Sequence, residues 1–259
     1  MNAQTAAAVG ASLVALAFAM STFERWLAGR RRHELAWSAS LLMFSLASAS
    51  LAAGAAGGWN GPIFRLFYFF GAIANVPFLA LGTIYLLAGV RQGDRWAIGI
   101  GLFTAFAAGV IVVAPFTAPL PKDTLAQGSA VFGPLPRVLA ATASAIGALI
   151  VLGGAVWSAW RLWRSNAGSG RLVLSNGLIA LGTLITGASG LLNSVLDKQT
   201  GFAVTLLVGI AVIFAGFLVA TSTPRRPPAA QLEVVRSDRP GVPAAAASRS
   251  TRAATTGRR

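Results

Sequence analysis

Cysteine is absent from this 259-residue chain, which excludes disulfides, thiolate nucleophiles and thiolate metal ligands. Charge is scarce as well: 11% of residues are charged, where a soluble domain carries about a quarter. There are one histidine and seven acidic residues, and no carboxylate falls in the middle of an apolar run. That scarcity argues against a carboxylate-driven proton carrier or pump, an aspartyl or rhomboid-like intramembrane protease, and a buried metal site. No phosphate loop and no HExxH motif occurs. The reading that follows is non-enzymatic, with no cofactor and no metal.

What the chain has in quantity is apolar sequence, 55% of it, gathered in runs of about 20 residues, the length that crosses roughly 30 Å of hydrocarbon. Seven such runs predict an all-α membrane protein, a bundle of seven transmembrane helices. They cover about 4–22, 35–56, 62–90, 96–115, 137–160, 172–195 and 201–221. The first contains Ala17-Phe18-Ala19, which resembles a signal-peptidase site, but no basic residue precedes it and Arg25 and Arg30 to Arg32 follow. A secretory signal has its positive charge in front, so a retained span is expected. Trp157, Trp160 and Trp163 close the fifth run as an interfacial aromatic cluster.

The net charge of +14 does not signal nucleic acid, because its arginines sit at span ends and in the C-terminal tail without interleaved aromatics. Nine arginines fall in the connections between spans one and two, three and four, and five and six. The other side has Arg65, Lys122, Arg137 and Lys198. The arginine-rich side is expected to be cytoplasmic, with the N-terminus outside and the C-terminus inside, in a bacterial inner membrane. Residues 1–221 then form the membrane domain. Residues 222–259, rich in Pro, Ala and Arg and without an aromatic, read as a disordered cytoplasmic tail. Its eight arginines against Glu233 and Asp238 suit it to an anionic inner leaflet.

Two polar stripes are the candidate sites. At about 100° per residue, Arg65, Tyr68, Ala72, Asn75, Gly82 and Thr83 of span three share an arc about 100° wide. Pro77 in the same span denies an N–H to the Ile73 carbonyl and predicts a kink, with Asn75 placed to donate to a freed carbonyl or a neighbouring helix. Span six has a second stripe of Ser175, Asn176, Gly182, Thr183, Thr186, Ser189, Gly190 and Asn193. Two readings are open. The stripes pack helices through small and hydroxyl residues, or they line a narrow cavity between spans three and six for a small amphiphilic or anionic ligand. Arg65 either snorkels to phosphates or fixes an anionic group. Span two carries Ser38, Ser45 and Ser48 near one face. His33, beside Glu34, lies in the basic connection.

Seven spans with the N-terminus outside resemble the rhodopsin arrangement, but the only lysines, Lys122 and Lys198, lie outside the spans, so a retinal Schiff base is excluded. A three-plus-one-plus-three repeat resembles the small sugar transporters of the PQ-loop type. Leu35, Leu42, Ala49 and Ser50 align at constant offset with Leu174, Leu181, Ala188 and Ser189, while the Pro-Gln dipeptides are missing and Pro77 has no counterpart in span seven. Over residues 25–90, RRRHELAWSASLLMFSLASASLAAGA followed by GW and RLFYFFGAIANVPFLALGTIYLL resembles an uncharacterised family of integral membrane proteins of high-GC bacteria. That resemblance implies no activity. Sensor or carrier, accessory partner of a membrane complex, and small-solute transporter are the functional expectations.

Overall fold

The computed structural model describes residues 3–121, 127–164, 174–175, 177–179, 181–186 and 199–221. Among these residues the chain is helical, apart from turns and one isolated antiparallel bridge between Phe116 and Phe132. The helices are α1 (Ala3–Gly29), α2 (Arg32–Gly57), α3 (Gly61–Tyr68), a π-helical segment (Phe69–Ala74) and α4 (Asn75–Ala88). They continue with α5 (Val90–Val113), α6 (Gly128–Val131), α7 (Pro134–Arg164), α8 (Gly177–Thr186) and α9 (Gln199–Thr221).

Six of the described helical stretches are long and apolar enough to cross a membrane, with Gly61–Ala88 counted as one. The expected sixth span, about 172–195, is described only as the shorter apolar α8. The tail at 222–259 lies outside the described residues.

The sequence sets the helix ends. Asn60 caps α3, its side chain accepting the Ile63 N–H at 3.0 Å, and Pro62 sits in the first turn, where its missing N–H costs nothing. Gly89, at φ +84°, makes the tight turn between α4 and α5, a left-handed backbone that glycine adopts without steric cost. Pro115 follows the end of α5.

Packing runs laterally: α9 against α1, α1 against α2, α2 against α4, and α4 against both α5 and α7. The α1–α2 seam is close because α1 presents Ala8, Ala11 and Ala15, all fully buried. Across it Ser12 and Ser45 each donate to the other's carbonyl at 3.0 Å, and Ser38 donates to the Ala19 carbonyl at 2.9 Å. With Ser48 also buried, the serine face read from span two is a helix-packing face. Outward residues such as Leu102, Phe106 and Val112 of α5 are exposed. An apolar exterior over a hydrogen-bonded interior suits hydrocarbon as solvent.

Candidate functional site

Span three is the hub of the bundle, and its polar residues do not form one stripe. The π-helical segment Phe69–Ala74 lies just before Pro77, with the Asn75 N–H bonding to the Phe70 carbonyl five residues back. A proline ring collides with the carbonyl four residues before it, here that of Ile73. A wider turn at that point moves the carbonyl out of the way. It also inserts a residue into the register, so positions before and after it no longer obey a single 100° wheel.

Consequently the members of the expected stripe meet different neighbours. Arg65 reaches the end of α5: its guanidinium donates to the Ala114 carbonyl at 2.8 Å and also to the Ile111 carbonyl. The same group lies 4.4 Å from the centre of the Phe116 ring and 6.0 Å from that of Phe132. Tyr68 packs against Phe132 at 5.0 Å between ring centres. Gly82 lies under the Trp37 indole of α2, which occupies the space a Cβ would need. Thr83 faces Gly154 of α7 and donates to its own helix at Leu79. Arg65 is therefore engaged with helix-end carbonyls, a part that neither sequence reading had assigned to it.

Asn75 has a different environment. It is buried between helices, and its backbone carbonyl accepts the Ser40 hydroxyl of α2 at 2.8 Å. One helical turn earlier, the Ala72 carbonyl accepts the Ser144 hydroxyl of α7 at 3.0 Å. Donation to backbone around the π segment thus comes from serines of neighbouring helices, where the sequence reading looked to the Asn75 side chain. The Asn75 Oδ1 atom is buried and receives no hydrogen bond. Neither serine was visible as a partner from the sequence, because each becomes a neighbour only through the packing of α2 and α7 on span three.

Of the second stripe, Ser175, Gly182 and Thr186 meet span seven. Ser175 donates to the Gly216 carbonyl of α9 at 2.8 Å. Cβ atoms built at Gly182 and Gly216 would lie 2.6 Å from Ile213 and 2.9 Å from Leu178, so the two helices meet through glycine. Thr183 and Thr186 donate to Ile179 and Gly182 of their own helix, each at 2.8 Å. Among the described residues α8 meets α9, where the glycines of the two helices permit a close approach. Asn176 and Asn193 lie outside the described residues.

The two ends of the bundle differ. At one, Trp59, Phe64, Phe67, Tyr68, Phe116 and Phe132 form a ring cluster with centre distances of 5.0–6.4 Å, beside a recess of ≈ 410 Å³ lined by Pro134, Arg137, Val138 and Ala141. At the other, Arg25 is paired with the buried Glu34 at 3.0 Å, and Arg32 with Asp94, which also accepts the Tyr85 hydroxyl at 2.8 Å. Those bonds tie the α1–α2 connection to the start of α5. His33 stands edge-on to Trp37, 5.2 Å between ring centres. No group of three or more potential metal-binding side chains occurs among the described residues.

Fold and interior together define a helical, multi-pass membrane protein whose most irregular span is at its centre. Set against protein-family models, curated proteins and solved structures, the chain matches none.

Proposed function

We propose that the chain is a non-enzymatic plasma-membrane protein that binds a small ligand beside the π-helical segment of span three, as a sensor or carrier. Seven spans, an external N-terminus and a cytoplasmic tail that rests on anionic lipid complete the reading. It differs from the cavity expected between spans three and six: the proposed site lies among spans two, three and five, a reading supported by the Ser40 and Ser144 bonds to the Asn75 and Ala72 carbonyls.

The observation that supports it is the orphaned Asn75 Oδ1. A buried acceptor without a donor costs about 1–3 kcal/mol, and a ligand amine or hydroxyl supplies the missing hydrogen. π-helical turns recur at functional sites, and this one puts two serine-bonded carbonyls next to the amide.

The test is thermal unfolding of the full chain in detergent, with and without a panel of small primary amines, polyols and monosaccharides. Wild type should be stabilised by at least one compound class. Asn75→Leu, with no acceptor to satisfy, should melt at or above the wild-type temperature and ignore that class. An Asn75→Leu protein that responds as wild type does would remove the site, and so would a wild type that responds to nothing.

A further inference from the structure

At the end of the bundle opposite the aromatic cluster, the α1–α2 connection, Tyr85 and Val90 enclose a recess of ≈ 310 Å³ lined by Arg30, Arg31, Arg32, His33, Tyr85 and Val90. Recesses near 300 Å³ are at the small end of ligand sites, a size for a polar headgroup without its chains. Three consecutive arginines line it, and they are not equivalent. Arg32 is occupied by Asp94. Arg30 and Arg31 have no carboxylate partner among the described residues, so the recess has unneutralised positive charge on a wall already held in place by the Arg32–Asp94–Tyr85 links.

Arg30 is also the one described non-glycine residue with positive φ, +52°. It directly follows α1, its N–H bonding to the Trp26 carbonyl at 2.6 Å. Glycine or asparagine usually occupies such a helix-ending position, because a Cβ there costs roughly 1–2 kcal/mol. Its guanidinium stacks 4.9 Å above the Trp26 ring, which keeps the group at the rim of the recess. Trp26, Trp37 and Trp96 mark the same end of the helices, the depth at which tryptophan collects between hydrocarbon and water. Leu27 and Leu86, in the turns of α1 and α4 at this end, are exposed.

We propose that this recess binds the phosphodiester of an anionic phospholipid. Arg30 and Arg31 pair with the phosphate oxygens, since the planar guanidinium matches phosphate in two-point contact. The acyl chains extend from it along the exposed apolar side chains of the same helix ends. The assignment rests on the basic recess alone and is independent of the ligand reading at Asn75.

Native mass spectrometry of the full chain, titrated with dioleoyl-phosphatidylglycerol, dioleoyl-phosphatidylcholine or inorganic phosphate, tests it. Wild type should retain phosphatidylglycerol at least about tenfold more tightly than phosphatidylcholine. The double variant Arg30→Gln/Arg31→Gln should lose that preference. The charge-matched Arg161→Gln/Arg164→Gln, at the end of α7, should keep it. Arg30→Gly separates binding from folding: it removes the backbone strain, so the melting temperature should hold or rise while phosphatidylglycerol binding weakens. Equal retention of phosphatidylglycerol by Arg30→Gln/Arg31→Gln overturns the site, and equal loss in the α7 variant reduces it to diffuse charge. Displacement of phosphatidylglycerol by millimolar inorganic phosphate would transfer the recess to a soluble phosphate and overturn the lipid assignment.

Discussion

Arg65 has its guanidinium committed to the last carbonyls of α5 and to the face of Phe116. Charge-assisted hydrogen bonds contribute about 1.5–3 kcal/mol, and a cation over an aromatic face about 0.5–2 kcal/mol. Arg65→Gln should therefore lower the melting temperature in the absence of any ligand, by the equivalent of about 2–4 kcal/mol. Arg65→Lys, able to reach one carbonyl only, should fall between the two. Equal melting of Arg65→Gln and wild type would return the arginine to its role as a free anion-binding group. Asn75 makes the opposite prediction, because there the folded protein contains an unmet demand, and removing the amide relieves it. Both residues were legible in the sequence as unusual; their different circumstances were not, because each is defined by a partner at least 35 positions away.

The π-helical turn governs what span three can do. Pro77 announced an interruption, and the physical reason, a clash with the Ile73 carbonyl, was available from the sequence. A kink and a π turn are two solutions to that clash. Here Ser40 and Ser144 bond, from two sides, to the Asn75 and Ala72 carbonyls that flank Ile73. Hydroxyl-to-carbonyl bonds between membrane helices contribute about 0.6–2 kcal/mol each, so Ser40→Ala and Ser144→Ala should each destabilise the protein by about that amount. Ser50→Ala, whose hydroxyl returns to its own helix at Leu46, should have little effect. Denaturant titration followed by tryptophan fluorescence measures all three, and an equal response to all of them would contradict the assignment of Ser40 and Ser144 as braces. Elsewhere the structure gave a noted face its meaning: Ser38 and Ser45 of α2 hydrogen-bond across the seam with α1.

For the molecule as a whole, order of packing is the testable quantity. A cysteine-free chain permits engineered pairs without background. Cysteines at Ser12 and Ser45, whose hydroxyl oxygens are 3.1 Å apart, should form an intramolecular disulfide. A pair at Asn75 and Thr183 should not, since the described part of α8 lies on α9. The reverse result would restore the cavity between spans three and six. Sidedness is a separate matter. The contacts put the α1–α2 and α4–α5 connections at one end and the α2–α3 and α5–α7 connections at the other. With the arginine-rich end inside, a reporter active only in the cytoplasm should work when fused after Arg31 or Arg95 and fail after Asn60 or Gly133.

By itself the sequence determined the solvent of this protein and the length and apolarity of its helices, because hydrocarbon imposes a run of about 20 apolar residues that any reading of hydropathy detects. It also located the polar residues that a membrane span does not carry without reason. Only the tertiary structure decided what those residues do. A single inserted residue at the π segment shifted the phase between Arg65 and Asn75, and a polar group in hydrocarbon takes its meaning from the carbonyl or hydroxyl that packing delivers to it.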